Sequence, residues 1–196
     1  MGPVEVESVQ LFTSLLAVLA IVGSLALLVL RLVAVRSVSA RQLGAQFASA
    51  QLPLAWAVAT GAMLGSLYFS EIANYEPCRY CWFQRIAMYP LALLLLIAMV
   101  RRDRHIAWYA VPIAAIGAAL SLRHRYLELN PSFGPGGCSA DVPCSAVWFE
   151  RLGFVTLSVM ALFGFLSIII LLTVRFPTER VADVPATTPT HTEELV

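Results

Sequence analysis

The sequence contains no lysine: its thirteen basic residues other than histidine are all arginine. Charge of either sign is scarce, at 13% of residues, about half the share usual in soluble globular domains. That scarcity excludes an ordinary solvated surface. No basic stretch interleaved with aromatics exists to bind nucleic acid. No positive charge precedes the first apolar run, which argues against a secretory signal peptide, whose leading region is basic. No histidine follows the one CxxC pair. Trp82 stands there instead, and haem attachment needs a histidine at that place. What is present is hydrophobic: 59% of the 196 residues, gathered in long runs. The class is a polytopic membrane protein with no room for a separate soluble domain.

Five apolar runs read as spanning helices, over residues 9–30, 53–70, 82–100, 105–122 and 152–174. At 1.5 Å of rise per residue each approaches or exceeds the bilayer core. The first is longer than a signal core and reads as an anchor helix. Arg31, Arg36 and Arg41 mark residues 31–51 as a cytoplasmic connector, either a helical extension or an amphipathic segment on the membrane surface. Pro53 opens the second span in the first helical turn, where its missing N–H has no partner in any case. Gly61-Ala62-Met63-Leu64-Gly65 is a small-xxx-small pattern suited to close helix packing, although such spacing also arises by chance in membrane helices. The chain therefore divides into an anchor and connector (1–52), a helical redox domain (53–175) and a polar tail (176–196) expected to be disordered.

Orientation follows from arginine placement. With the short turn Arg101-Arg102-Asp103-Arg104 inside, eight arginines fall inside (31, 36, 41, 101, 102, 104, 175, 180) and five outside (79, 85, 123, 125, 151). The N-terminus and both cysteine loops then lie outside, on the oxidising face.

The four cysteines form two close pairs, Cys78/Cys81 and Cys138/Cys144, and neither lies within an apolar run. Cys81 falls near the start of the third span, where unpaired N–H groups and the helix dipole favour a thiolate, and Arg85 adds positive charge one turn on. Such a thiolate is a good leaving group and can donate charge to an electron-poor ring against the helix, while Arg85 can hydrogen-bond a quinone carbonyl. Position alone gives equal weight to an Arg85 that snorkels to the interface. Trp82, Tyr80, Phe83 and Tyr89 read first as an aromatic belt. His124, at the outer end of the fourth span, fits a capping or interfacial role better than a proton relay. Zinc could use four cysteines, but Cys138 and Cys144 are five residues apart and the pairs sit on different loops, so no metal is expected. From the residues alone, structural disulfides in a membrane scaffold and a thiol carrier acting without quinone stay open beside a quinone-linked redox site.

Taken together, Pro77-Cys78-Arg79-Tyr80-Cys81-Trp82-Phe83-Gln84-Arg85, Met88-Tyr89-Pro90, Ser121-Leu122-Arg123-His124, Pro143-Cys144 and the stretch from Trp148 through Gly153-Phe154-Val155-Thr156 resemble the DsbB/BdbC family of disulfide bond formation proteins. The resemblance covers about residues 53–175, and the short spacing of the second pair is closer to the BdbC branch. Ser158 stands near where many relatives have proline, and the first span is additional to the family's four-helix core. The resemblance implies an all-α membrane four-helix bundle in a bacterial cytoplasmic membrane, with a quinone (menaquinone or ubiquinone) beside the CxxC. Cys81, Arg85 and His124 would serve the quinone end. Cys78 would complete the first disulfide. Cys138 and Cys144 would form a shuttle disulfide that reoxidises an extracytoplasmic DsbA/BdbD-like thioredoxin-fold partner. By the same analogy Cys138 would meet the partner and Cys144 would exchange with Cys78.

Overall fold

The computed structural model describes residues 3–103, 105–131, 138 and 142–175. The tail expected to be disordered and the glycines at 134, 136 and 137 lie outside the described residues. Six helices follow in order: α1 (Pro3–Val33), α2 (Val38–Ala48), α3 (Gln51–Leu67), α4 (Arg79–Arg101), α5 (Ala107–Leu129) and α6 (Leu157–Thr173). A π-helical turn, Tyr68–Ile72, continues α3. Among the described residues the one β pairing is an isolated bridge between Arg151 and Val155. The fold is all-α, as expected.

Hydropathy accounts for most of the expected spans among the described residues, but the helix over the expected span 105–122 is not among those apolar enough to cross a membrane. Glu5–Val33, Gln51–Ile72 and Arg79–Arg101 are long and apolar enough to cross a membrane, with mean hydropathies of 2.6, 1.4 and 1.8. With the shorter apolar helix α6, 17 residues long, they make a multi-pass membrane protein. Large apolar side chains of α1 such as Phe12, Val29 and Leu32 are exposed, as lipid-facing residues are.

Helices α3 to α6 form the four-helix bundle: α5 packs on α6 and α4, and α3 on α4 and α6. Their shared core holds Leu91, Leu95, Ala110, Ala114, Phe165 and Ile168. Helix α1 is the additional element and lies mainly along α6. At the end away from the cysteines, Ala34, Ala40 and Val174 pack together, and the Gln51 amide donates to the Val174 carbonyl at 2.7 Å. That bond satisfies a carbonyl at the C-terminus of α6 that has no partner within the helix.

Several boundaries differ from the sequence expectation, beginning with α1, which starts at Pro3 rather than at residue 9. The connector is a separate helix, α2, started by the Ser37 side chain, which accepts from the Ala40 N–H. Helix α5 runs seven residues past the expected end at 122, to Leu129. Its charged last turns stay helical because Arg125 and Glu128 pair at 3.0 Å and His124 and Leu127 face the interior. Helix α6 starts at Leu157, five residues late, because Leu152 and Gly153 adopt positive φ (56° and 76°) and turn the chain back on itself.

Small residues also pack otherwise than expected. Gly61 has open space where a Cβ would stand, and Gly65 would meet only a Thr13 methyl at 3.9 Å, so the GxxxG pattern marks no close helix contact. The tight contact is at Gly117, where a Cβ would lie 2.3 Å from ring atoms of Phe165, a residue with no exposed surface. Replacing Gly117 by alanine gains up to ~1 kcal/mol of helix propensity but overpacks the core at about 1–3 kcal/mol. Gly117→Ala should therefore lower the thermal midpoint in detergent, whereas Gly61→Ala should hold or raise it; a Gly117→Ala midpoint at or above wild type would contradict the packing described.

Candidate functional site

The site is built on the first turn of α4. Cys78 is its N-cap, in extended conformation, and its sulfur accepts from the Cys81 N–H at 3.3 Å. The stabilised sulfur at the helix start is thus Cys78, not Cys81 as the sequence suggested. A side chain at the cap position points back at the free N–H groups, whereas one three residues on points along the helix flank. The two sulfurs are 2.8 Å apart and not bonded, so closing a disulfide requires movement of under about 1 Å.

His124, from the extension of α5, meets Cys78. Its Nε2 lies 3.5 Å from the Cys78 sulfur, and its Nδ1 lies 3.3 Å from the Gln84 side-chain nitrogen. With the Gln84 amide donating to Nδ1, the neutral ring carries its proton on Nε2, directed at Cys78. Tyr80 stacks on the imidazole with ring centroids 5.8 Å apart. The Cys78 thiol is pulled down to about 4, first by the hydrogen bond from Cys81 and further by that from His124, against burial, which raises it. His124 is buried here and, unlike Cys81 and Arg85, is not among the residues lining the neighbouring cavity.

Beneath His124 lies a residue that the sequence reading missed. Glu128 is one turn further along α5, its side chain 3% exposed and 4.0 Å from His124 Nε2. It accepts from Arg125 (3.0 Å), Thr156 (2.9 Å) and Ser158 (2.7 Å). The i, i+4 spacing from His124 was the available signal. Ser158 lies in the first turn of α6, where proline would also suit the backbone; serine there supplies one of the hydroxyls that hold Glu128.

The second pair, Cys138–Cys144, is disulfide-bonded. Cys144 is buried with Cys78 and Leu127 in one cluster, with Cys81, Cys138, Tyr80 and Val142 against it. Folding therefore brings all four cysteines together, although 56 residues lie between Cys81 and Cys138.

Arg85 does not snorkel. It is 9% exposed and reaches back to α3, donating from Nε to the Ser66 hydroxyl and from Nη2 to the Ser66 carbonyl, both at 2.9 Å. Its guanidinium lies 5.3 Å from the centroid of the Trp82 ring. Ser66 stands just before the π-helical turn, a departure from α geometry that often marks a functional site. Trp148 and Phe69 sandwich Tyr75, with stacked ring centroids at 5.0 and 5.8 Å, and so brace the loop that leads to Cys78.

Cys81, Gln84 and Arg85 open onto a predominantly apolar cavity of about 730 Å³ between α1, α3, α4 and α6. Its size lies within the range of small-molecule sites, and a few polar groups gathered at one end of apolar walls are the usual means of orienting a ligand. A flat ring with carbonyl oxygens and an apolar substituent fits that donor set. A metal has a different option. The sulfurs of Cys78 and Cys81 and a ring nitrogen of His124 lie within 4.8 Å of one another, a spacing that a thiophilic cation could use, but such an ion would occupy both free sulfurs. While bonded to each other, Cys138 and Cys144 offer no thiolates to a cation.

This geometry agrees with the comparisons. The family model described as "Disulfide bond formation protein DsbB" matches residues 48–142. The chain is 48% identical over 115 residues to "Probable disulfide formation protein C 1" of Bacillus anthracis, covering 58% of this chain and 83% of that protein. It is 47% identical over 116 residues to "Disulfide bond formation protein C" of Bacillus subtilis (strain 168), covering 59% and 84% respectively. No solved structure matches. The chain belongs to the DsbB/BdbC family of disulfide bond formation proteins, on the BdbC branch.

Proposed function

We propose that the protein is a membrane thiol:quinone oxidoreductase that supports disulfide bond formation in exported proteins by reoxidising an extracytoplasmic thioredoxin-fold dithiol oxidase of the DsbA/BdbD type. The observation that carries this reading is the division of labour within the CxxC. Cys78 is buried with Cys144 and does not line the apolar cavity, whereas Cys81, at the edge of that cluster, lines the cavity together with Arg85. One sulfur faces a disulfide with which to exchange, and the other faces a site for a flat acceptor.

The electron path follows from that division. The partner's dithiol reduces Cys138–Cys144 through a mixed disulfide on Cys138, leaving two thiols. The Cys144 thiolate attacks the Cys78 sulfur of the Cys78–Cys81 disulfide and expels the Cys81 thiolate. Cys138 then resolves the Cys78–Cys144 bond, expelling Cys78, whose stabilised thiolate makes it a good leaving group. The second pair is again a disulfide, and the CxxC holds two electrons. A quinone, menaquinone or ubiquinone, would supply the two-electron acceptor that leaves as quinol and restores Cys78–Cys81. Arg85 would hold its carbonyl oxygen, fixed for that task by Ser66 and Trp82, and the apolar walls would exclude water. His124 serves the sulfur of Cys78 by donating a hydrogen bond from its Nε2–H to the thiolate. Family membership favours a bacterial cytoplasmic membrane, and the arginine bias favours an orientation with both cysteine pairs on its extracytoplasmic face.

The deciding measurement mixes purified, reduced protein with menaquinone or ubiquinone under anaerobic conditions and follows the quinone absorbance. Wild type should bleach at least one of them. Cys81→Ser should lose the reaction, while Cys138→Ser, chemically reduced, should still reoxidise its CxxC. Partner oxidation retained by Cys81→Ser would refute the scheme.

The thiolate assignment has its own test. In the reduced protein, thiolate ultraviolet absorbance should persist through mildly acidic pH and vanish as the pH falls through about 4. A depressed pKa means that the charged form exists above it and is lost below it. His124→Ala removes a donor to the thiolate, so its midpoint should move upward toward the ordinary thiol range. An unmoved midpoint would remove His124 from this role.

A further inference from the structure

The N-terminal helix has no place in the scheme above, and the residues matched by the family model begin only at 48, beyond α1. Yet α1 is tied to the redox end. Gln10 donates to the Tyr75 hydroxyl at 2.6 Å and accepts from Arg151 at 2.8 and 3.0 Å, and the Ser14 hydroxyl lies 3.7 Å from the Met160 sulfur. These bonds join α1 to the loop before Cys78 and to α6.

From there α1 runs down the bundle as one side of the cavity that begins at Cys81 and Arg85. The lining on α1 extends from Thr13 to Leu30, about 25 Å at 1.5 Å per residue. That is most of the ~30 Å hydrocarbon core. The facing wall is α3, which packs on α4 and α6. Both walls set small residues among larger ones such as Leu16 and Leu27 on α1 and Leu54 on α3. Ala17, Ala20 and Gly23 line the space on α1, and Gly61 and Gly65 line it on α3. An added Cβ at Gly23 or Gly61 would meet nothing within 4 Å. The cavity is thus a long apolar slot, headed by the redox groups and kept open by small residues.

We infer that α1 is the wall of a tail-binding slot: it holds the isoprenoid tail of the quinone whose head group meets Cys81 and Arg85, and thereby selects long-tailed quinones. This inference rests on the quinone reading above. The tail is already in hydrocarbon before it binds, so moving it between helices gains packing rather than hydrophobic transfer energy. A preference of about tenfold for a long-tailed over a tail-less quinone corresponds to ~1.4 kcal/mol, a plausible packing gain.

The test uses full-length protein in detergent and reads equilibrium binding by tryptophan fluorescence quenching, with a long-tailed menaquinone and tail-less menadione as probes. Wild type should bind the long-tailed probe about tenfold tighter. Gly23→Leu and Gly61→Leu fill the slot, so each should remove that preference while leaving menadione affinity unchanged, which also reports that the variant is folded. A wild type that binds both probes equally, or variants that keep the full preference, would overturn the tail slot and leave the quinone reading standing. A wild type that binds neither probe would overturn the quinone reading and the slot with it. Should both variants fail to bind menadione, a menaquinone with a photoreactive group in its tail decides the question on wild-type protein: labelling of α1 supports the slot, and labelling confined to other segments overturns it.

Discussion

Polar groups taken out of water at one end of the bundle must all be satisfied from within the protein, and the rest of the site depends on that constraint. Gln84, Arg85 and His124 are each less than 10% exposed, and the Glu128 side chain is equally covered. An unpaired buried ion costs several kcal/mol, on the order of the stability of a whole domain. Each of these groups is therefore fixed by another: Arg85 by Ser66, His124 by Gln84, Glu128 by Arg125, Thr156 and Ser158. The result is a rigid polar layer whose hydrogen bonds cross from α3 to α4, from α4 to α5 and from α5 to α6. Within it the Cys78 sulfur accepts hydrogen bonds from a backbone N–H, a thiol and an imidazole.

That layer also separates the two faces of the CxxC. A helix turns by 100° per residue, so sulfurs three residues apart are near neighbours that need not face the same surroundings. Cys78, at the cap, looks toward α5 and the second cysteine pair. Cys81, one turn in, looks onto the slot between α1 and α3. A pair in contact can thus exchange with a disulfide on one side and meet an apolar ligand on the other. The extension of α5 to Leu129 is what makes this possible, because it delivers His124, Leu127 and Glu128 to the layer as one helical face.

Much of this was legible before folding was considered. The long apolar runs announced helices, and the motifs around the CxxC announced the family. Other features were not legible for identifiable reasons. The GxxxG spacing is the same whether glycines admit a neighbouring helix or leave room for a ligand, and only the position of α1 distinguishes the two. Arg85 one turn past Cys81 is compatible with snorkelling or with burial until Ser66 is seen beside it. The late start of α6 came from two positive-φ residues, Leu152 and Gly153, whose conformation the apolar run concealed.

The amino-acid sequence by itself determined the class of protein, the helices and the chemistry available, because hydropathy and the spacing of two cysteines are properties of short segments. Which cysteine becomes the stabilised thiolate, which faces the slot, and how the second pair reaches the first were decided by tertiary structure alone. Those outcomes depend on side chains from α1, α3, α5 and α6 meeting at the start of α4. Contacts between segments so far apart in the chain leave no periodicity to read: they exist only once the helices have packed and the polar groups around the start of α4 have found their partners.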